Sequence, residues 1–168
     1  MKTKRNLIIF TVLVLALSWL GKWVDIQTQS PAGQGPGAML WLGAPLLIAL
    51  LLRGFAGDGW KDFGIKPNFK GNGLWYLISI LLYPLCIILV IVIGRAVGAI
   101  SFSELSEEAL ATMIQGTITM LIMQMIKNIF EELAFRGYLA PKMYTLKMNT
   151  FVSHGLVGLI WGFWHLPY

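Results

Sequence analysis

From Gly73 to Val97 the chain runs for 25 residues with a single charged side chain, Arg95, in a stretch dominated by Leu, Ile, Val and aromatic residues. A backbone embedded in hydrocarbon must satisfy its own hydrogen bonds, so a run of this kind reads as a membrane-spanning helix. Four further segments are written in the same way: about Leu7 to Val24, about Ala38 to Arg53, a long one from about Glu107 into the 140s, and one from Asn149 or Thr150 to Tyr168. The expected fold is therefore all-α. It is a polytopic transmembrane helix bundle of about five membrane helices, forming a single membrane domain over residues 1–168.

Composition agrees. The 168 residues are 57% hydrophobic and 12% charged, whereas a soluble domain carries roughly 25% charge. The net charge of +5 is scattered, with no basic stripe to follow a phosphate backbone, so nucleic acid is not an expected partner. Cys86 is the sole cysteine. It excludes an internal disulfide and any CxxC site, and in its apolar run it reads as core packing.

The first segment follows Lys2, Lys4 and Arg5 and resembles a signal peptide. No small-x-small cleavage site follows it, and Trp19 and Trp23 read as interfacial anchors, so a retained helix is expected. Pro45 is expected to kink the short second segment, and Pro141 to interrupt the fourth. Ser103 or Ser106, ahead of Glu107 and Glu108, marks the start of the fourth. Basic residues fall at the amino terminus, in the second loop (Arg53, Lys61, Lys66, Lys70) and in the fourth (Lys142, Lys147). That alternation predicts a multi-pass protein of the cell membrane with a cytoplasmic amino terminus.

Inside the apolar fourth segment stands Phe130-Glu131-Glu132-Leu133-Ala134-Phe135-Arg136-Gly137. Charges at membrane depth are costly, and the default reading is that they have a task. At 100° per residue Glu132 and Arg136 share a helix face, a predicted buried ion pair that makes the cluster tolerable. Glu131 points elsewhere, sharing its face with Phe135 and Lys127; Lys127 is expected to snorkel outward rather than to pair with it. In the last segment Trp161 and His165 are also four apart, and His154 lies eleven residues before His165, near the same face.

Segments four and five form a hairpin over about residues 109–168. Glu131 lies seventeen residues before Met148, and His165 seventeen after it. A turn near Met148 therefore puts carboxylate and imidazole at one depth, roughly 20–25 Å along the helices from that turn. Together they could hold a water, with the carboxylate taking its proton and the imidazole orienting it.

Glu131-Glu132-xxx-Arg136, continued as Phe-Arg-Gly-Tyr-Leu and followed about thirty residues later by an aromatic-xxx-His, resembles the CPBP family. This family comprises the CAAX-prenyl-endopeptidase-like and bacteriocin-processing intramembrane proteases, also called the Abi family. Trp161 stands where the family usually has Phe, and His165-Leu166-Pro167 continues in its manner. The resemblance implies that Glu131 activates water with His165, and that Glu132 and Arg136 support the site alongside Trp161. It implies hydrolysis of a peptide bond in a membrane-embedded or lipid-anchored substrate. Family members carry a later His-xxx-Asn motif that this chain lacks, so a carboxy-terminally truncated sequence is expected. The short, loop-poor chain reads as bacterial.

Neither cofactor nor metal is expected. HExxH is absent, and Glu131 and His165 with His154 or Glu132 make a thin ligand set. His154 matches no motif and reads as structural or interfacial, and the Met120, Met123 and Met125 group as flexible packing. Two other readings remain: a non-catalytic membrane immunity or binding protein of the same family, and a transporter or assembly subunit. Inverted repeats would mark a transporter, and none is seen.

Overall fold

The structure, a computed structural model, describes residues 2–31, 33–65, 67–101 and 106–168. It is all-helical: α1 (Lys2–Gln27), α2 (Pro36–Phe55), α3 (Gly73–Ala96), α4 (Glu107–Ala134), a π-helical turn (Phe135–Leu139), α5 (Ala140–Tyr144) and α6 (Thr150–His165). No strand occurs among the described residues. By length and composition α1, α2 and α3 can each cross a membrane. Of the expected helix starts, α4 begins just after Ser106, and Ser103 lies outside the described residues. Asn149 caps α6, its side chain accepting from the amide of Phe151 at 2.8 Å.

The chain divides into two compact units, Met1–Ile65 with Leu121–Tyr168, and Lys66–Met120. In the second unit α3 buries no residue, so its apolar surface is presented all round, as lipid acyl chains require. Cys86 is accordingly exposed. Its expected core role is corrected because the helix that carries it contributes nothing to a core.

The first unit holds a packed core. α1 and α2 are apolar on every side, so hydrophobicity alone cannot choose which faces meet. Small and polar residues choose instead. α1 buries Leu7, Phe10, Val14, Ser18, Gly21 and Asp25, one stripe at spacings of three or four. Gly21 meets Gly37 of α2 so closely that a Cβ on Gly37 would lie 1.9 Å from the Gly21 carbonyl oxygen. Asp25 fixes the same end of the pair, its carboxylate accepting from the Gly37 amide at 2.7 Å and from the Tyr168 hydroxyl at 2.8 Å. At the other end the Asn6 side chain donates to the Ala56 carbonyl at 3.2 Å. Phe135, Tyr138, Leu139, Met143, Ile160 and Trp164 complete this core.

In this unit two prolines interrupt helix hydrogen bonding, and both freed carbonyls find donors on another element. Pro45 lies inside α2, which continues through it as one helix, and it deprives the Trp41 carbonyl of its usual donor. The Trp164 indole supplies one at 3.2 Å. The Trp164 carbonyl in return accepts from the Trp41 indole at 3.0 Å and from Ser18 at 2.7 Å, and the two indoles stack at 4.4 Å. The interruption expected near Pro141 takes the form of the π-helical turn just before it.

Candidate active site

Glu131 projects from the last turns of α4 and His165 is the final residue of α6. α5 leads into a turn through residues 145–149, so the two helices run antiparallel and return to the same level. The His165 Nε2 lies 3.8 Å from Glu131 Oε2. Glu131 is buried, with its side chain 6% exposed, while the His165 side chain is 42% exposed. The imidazole is oriented from behind: its Nδ1 lies 3.0 Å from the Trp161 carbonyl, a bond that requires Nδ1 to carry the proton. In the neutral ring Nε2 then turns a lone pair toward the carboxylate. A gap of 3.8 Å is too long for a direct hydrogen bond and leaves room beside both atoms for one water.

Aromatic rings hold this pair. Trp164 meets the imidazole edge-on at 4.5 Å, and Trp41 does so at 5.8 Å. Trp161 stacks on Phe135 at 5.6 Å and lies beneath the Arg136 guanidinium at 5.2 Å. Because Trp164 is locked to Trp41 and Ser18, the end of α6 is fixed to α1 and α2 one residue before His165.

Two expectations about charge need correction. Lys127 does not snorkel away. Its Nζ lies 3.3 Å from Glu131 Oε1 and 5.4 Å from the Trp41 ring. The spacing of four places it on the Glu131 face, and the carboxylate there holds it. The contact is off-axis, so buried Oε1 has no hydrogen-bond partner among the described residues. The Glu132–Arg136 ion pair does form, but it is not buried: the side chains are 40% and 64% exposed. One residue of helix phase separates the two acids, and the phase that turns Glu131 inward turns Glu132 out.

His154 does not join the site. It bonds the Tyr144 hydroxyl at the opposite end of α6, about 16 Å along the axis from His165. Among the described residues, no three His, Cys, Asp or Glu side chains gather as metal ligands.

Sequence reasoning missed Trp41 and Arg53. Trp41 lies far from both motifs in sequence, and Pro45, four residues on, was its one signal. A mostly apolar groove of about 460 Å³ opens beside the dyad, lined by Met39, Trp41, Leu42, Met123, Gln124 and Lys127 among others. Lys127 brings the groove's edge to Glu131.

The family model described as type II CAAX prenyl endopeptidase Rce1-like matches residues 112–168. No curated protein and no solved structure matches the chain. The matched segment contains Glu131, Glu132, Arg136, Trp161 and His165, so the resemblance read from those residues is borne out there: over residues 112–168 the chain is similar to the Rce1-like, type II CAAX prenyl endopeptidase family.

Proposed function

We propose that this chain acts as an intramembrane endopeptidase, with Glu131 as general base and His165 as the group that orients water. The observation that carries the reading is the approach of Glu131 and His165 to 3.8 Å from two helices inside the family-matched segment. A water beside both gives one hydrogen to Glu131 Oε2 and the other to His165 Nε2. Its lone pair is thereby left free to attack a carbonyl brought beside the pair. Attack on a peptide carbonyl forms the new C–O bond while Glu131 takes the proton. Collapse of the tetrahedral intermediate breaks the C–N bond, and Glu131 returns that proton to the leaving nitrogen. The carboxylic acid and amine so released exchange one proton and leave as a carboxylate and an ammonium. Glu132, Arg136 and Trp161 flank the dyad and support it.

The substrate class that suits the groove is a membrane-embedded or lipid-anchored protein or peptide, delivered from the bilayer. For orientation we infer a multi-pass chain with a cytoplasmic amino terminus. The basic start of α1 lies beside the end of α2 through Asn6 and Ala56, and Lys142 reaches Asp58 and Asp62. The positively charged ends of this unit thus gather on one side, the cytoplasmic side by charge preference.

The test is peptide cleavage by purified protein. Glu131→Gln and His165→Ala should each lower kcat by about 10²–10⁴, the usual worth of positioned acid–base groups. Unchanged cleavage by a folded Glu131→Gln variant would sink the mechanism. A second reading, a non-catalytic binding or immunity protein, is favoured by Lys127, whose ammonium lies 3.3 Å from Glu131 and engages the carboxylate in an ion pair. That reading expects ligand binding without turnover and no loss of it in Glu131→Gln.

A further inference from the structure

Pro141 has no N–H to offer the Gly137 carbonyl four residues before it, so that carbonyl is an orphan of the helix. It lies in the π-helical turn Phe135–Leu139, where the Ala140 amide bonds back five residues to Phe135. The orphan is answered by Arg53, from the last turn of α2, whose Nη2 donates to the Gly137 carbonyl at 2.6 Å. The Arg53 side chain is wholly buried. Its Nη1 donates to the Gly59 carbonyl at 2.5 Å and to Asp62 at 2.7 Å, and its guanidinium lies 4.7 Å from the Phe63 ring and 5.4 Å from that of Tyr138.

The loop that Arg53 engages also grips the turn itself and the helix that follows it. Tyr138 donates to Asp58 at 2.7 Å, and Lys142 donates to the Asp58 carbonyl at 2.7 Å and pairs with Asp62 at 2.9 Å. Phe63 closes on Gly137 so tightly that a Cβ there would come within 3.2 Å of its ring. Such an investment in one main-chain carbonyl needs a reason, and helix phase supplies it. A π turn holds one residue more than the α turn it replaces. If it relaxed to α-helix, everything before it would rotate by about 100° against everything after it. Lys142 anchors the part after. The part before carries Glu131.

We propose that Arg53 is a positioning residue: by holding the Gly137 carbonyl it keeps the π turn open, and so keeps Glu131 in the phase that faces His165. The catalytic consequence rests on the function proposed above; the geometric one does not.

The test pairs Arg53→Lys with Pro141→Ala. A lysine retains the charge for Asp62 but lacks the planar fork that serves several acceptors at once. An alanine at 141 restores the missing N–H and lets the turn become α-helical. Arg53→Lys should lower Tm, and adding Pro141→Ala should recover most of that loss. The regained stability should come without function: kcat stays at least tenfold down while KM is held within twofold. A second readout is independent of activity. With Cys86→Ala as background, the buried thiol of Glu131→Cys should react with a maleimide at least tenfold faster once Arg53→Lys and Pro141→Ala are both present. Recovery of kcat in step with Tm would overturn the proposal, because Arg53 would then be only a brace. So would a thiol at 131 that stays protected in the double variant, or a Tm that Pro141→Ala fails to restore. If the wild type hydrolyses no peptide, the proposed function fails, and maleimide reactivity and Tm alone decide the role of Arg53.

Discussion

Glu131 and Glu132 are chemically identical neighbours with opposite fates. Glu131 is buried against a lysine and a histidine; Glu132 shares its charge with Arg136 at the surface. The asymmetry predicts that Glu132→Gln, unlike Glu131→Gln, lowers peptide cleavage by less than about tenfold, since exposed pairs contribute little. Initial-rate measurements on the two purified variants check this. The sequence held the phase argument that separates the acids, and the depth argument that brings Glu131 to His165. It did not show that Lys127 would stay with Glu131. That outcome depends on Trp41, which gives the ammonium an aromatic face from a helix that no spacing connects to α4. Trp164 is the other residue on which the site leans. Trp164→Phe removes the indole donor from the Trp41 carbonyl and should cost about 1–3 kcal/mol, the penalty for an unsatisfied buried polar group. Unfolding in detergent measures it.

At the scale of elements, helix existence and approximate ends were legible from apolar run length, and α6 begins at the Asn149 cap that its sequence announces. Helix pairing was not legible, because α1 and α2 both present apolar side chains outside their contact as well as within it. The contact is written in Ser18, Gly21, Asp25 and Gly37, whose meaning emerges only once they meet. Gly37→Ala is therefore expected to destabilise the hairpin by about 1–3 kcal/mol, the usual cost of overpacking. A helical neighbour has no room to yield where a methyl would enter a carbonyl oxygen. Thermal unfolding followed by circular dichroism, compared with Gly43→Ala at an open position of the same helix, isolates the effect. Pro45 and Pro141 were legible as disturbances but not as to their form. Whether a proline kinks a helix or is absorbed depends on who answers the freed carbonyl, and in both cases the donor comes from a distant part of the chain.

At the scale of the whole molecule, the Arg53–Asp62–Lys142 cluster ties the end of α2 to the start of α5. Burial alone would raise the Asp62 carboxyl, but hydrogen bonds and charge from Arg53 and Lys142 outweigh it and hold the group below its ordinary 3.8. A carboxyl whose pKa is depressed by folding contributes stability above its unfolded pKa and loses that contribution as pH falls through the folded value. The wild type should therefore exceed Asp62→Asn in Tm above about pH 4, with the difference shrinking on further acidification. A Tm series in buffers of decreasing pH reads it. Nothing in the sequence singled out Arg53 for this cluster: as a basic residue at a helix end it looked like one more orientation signal.

The π turn also has a consequence for chain length. An α-helix with one surplus residue can lose a residue and keep its phase. Among variants with a single deletion between Phe135 and Leu139, some should retain the facing of α4 against α5, whereas a deletion in the uninterrupted helix on either side turns one flank by about 100°. The five consecutive codons for Phe135–Leu139 are thus a place where this protein can shrink by one residue.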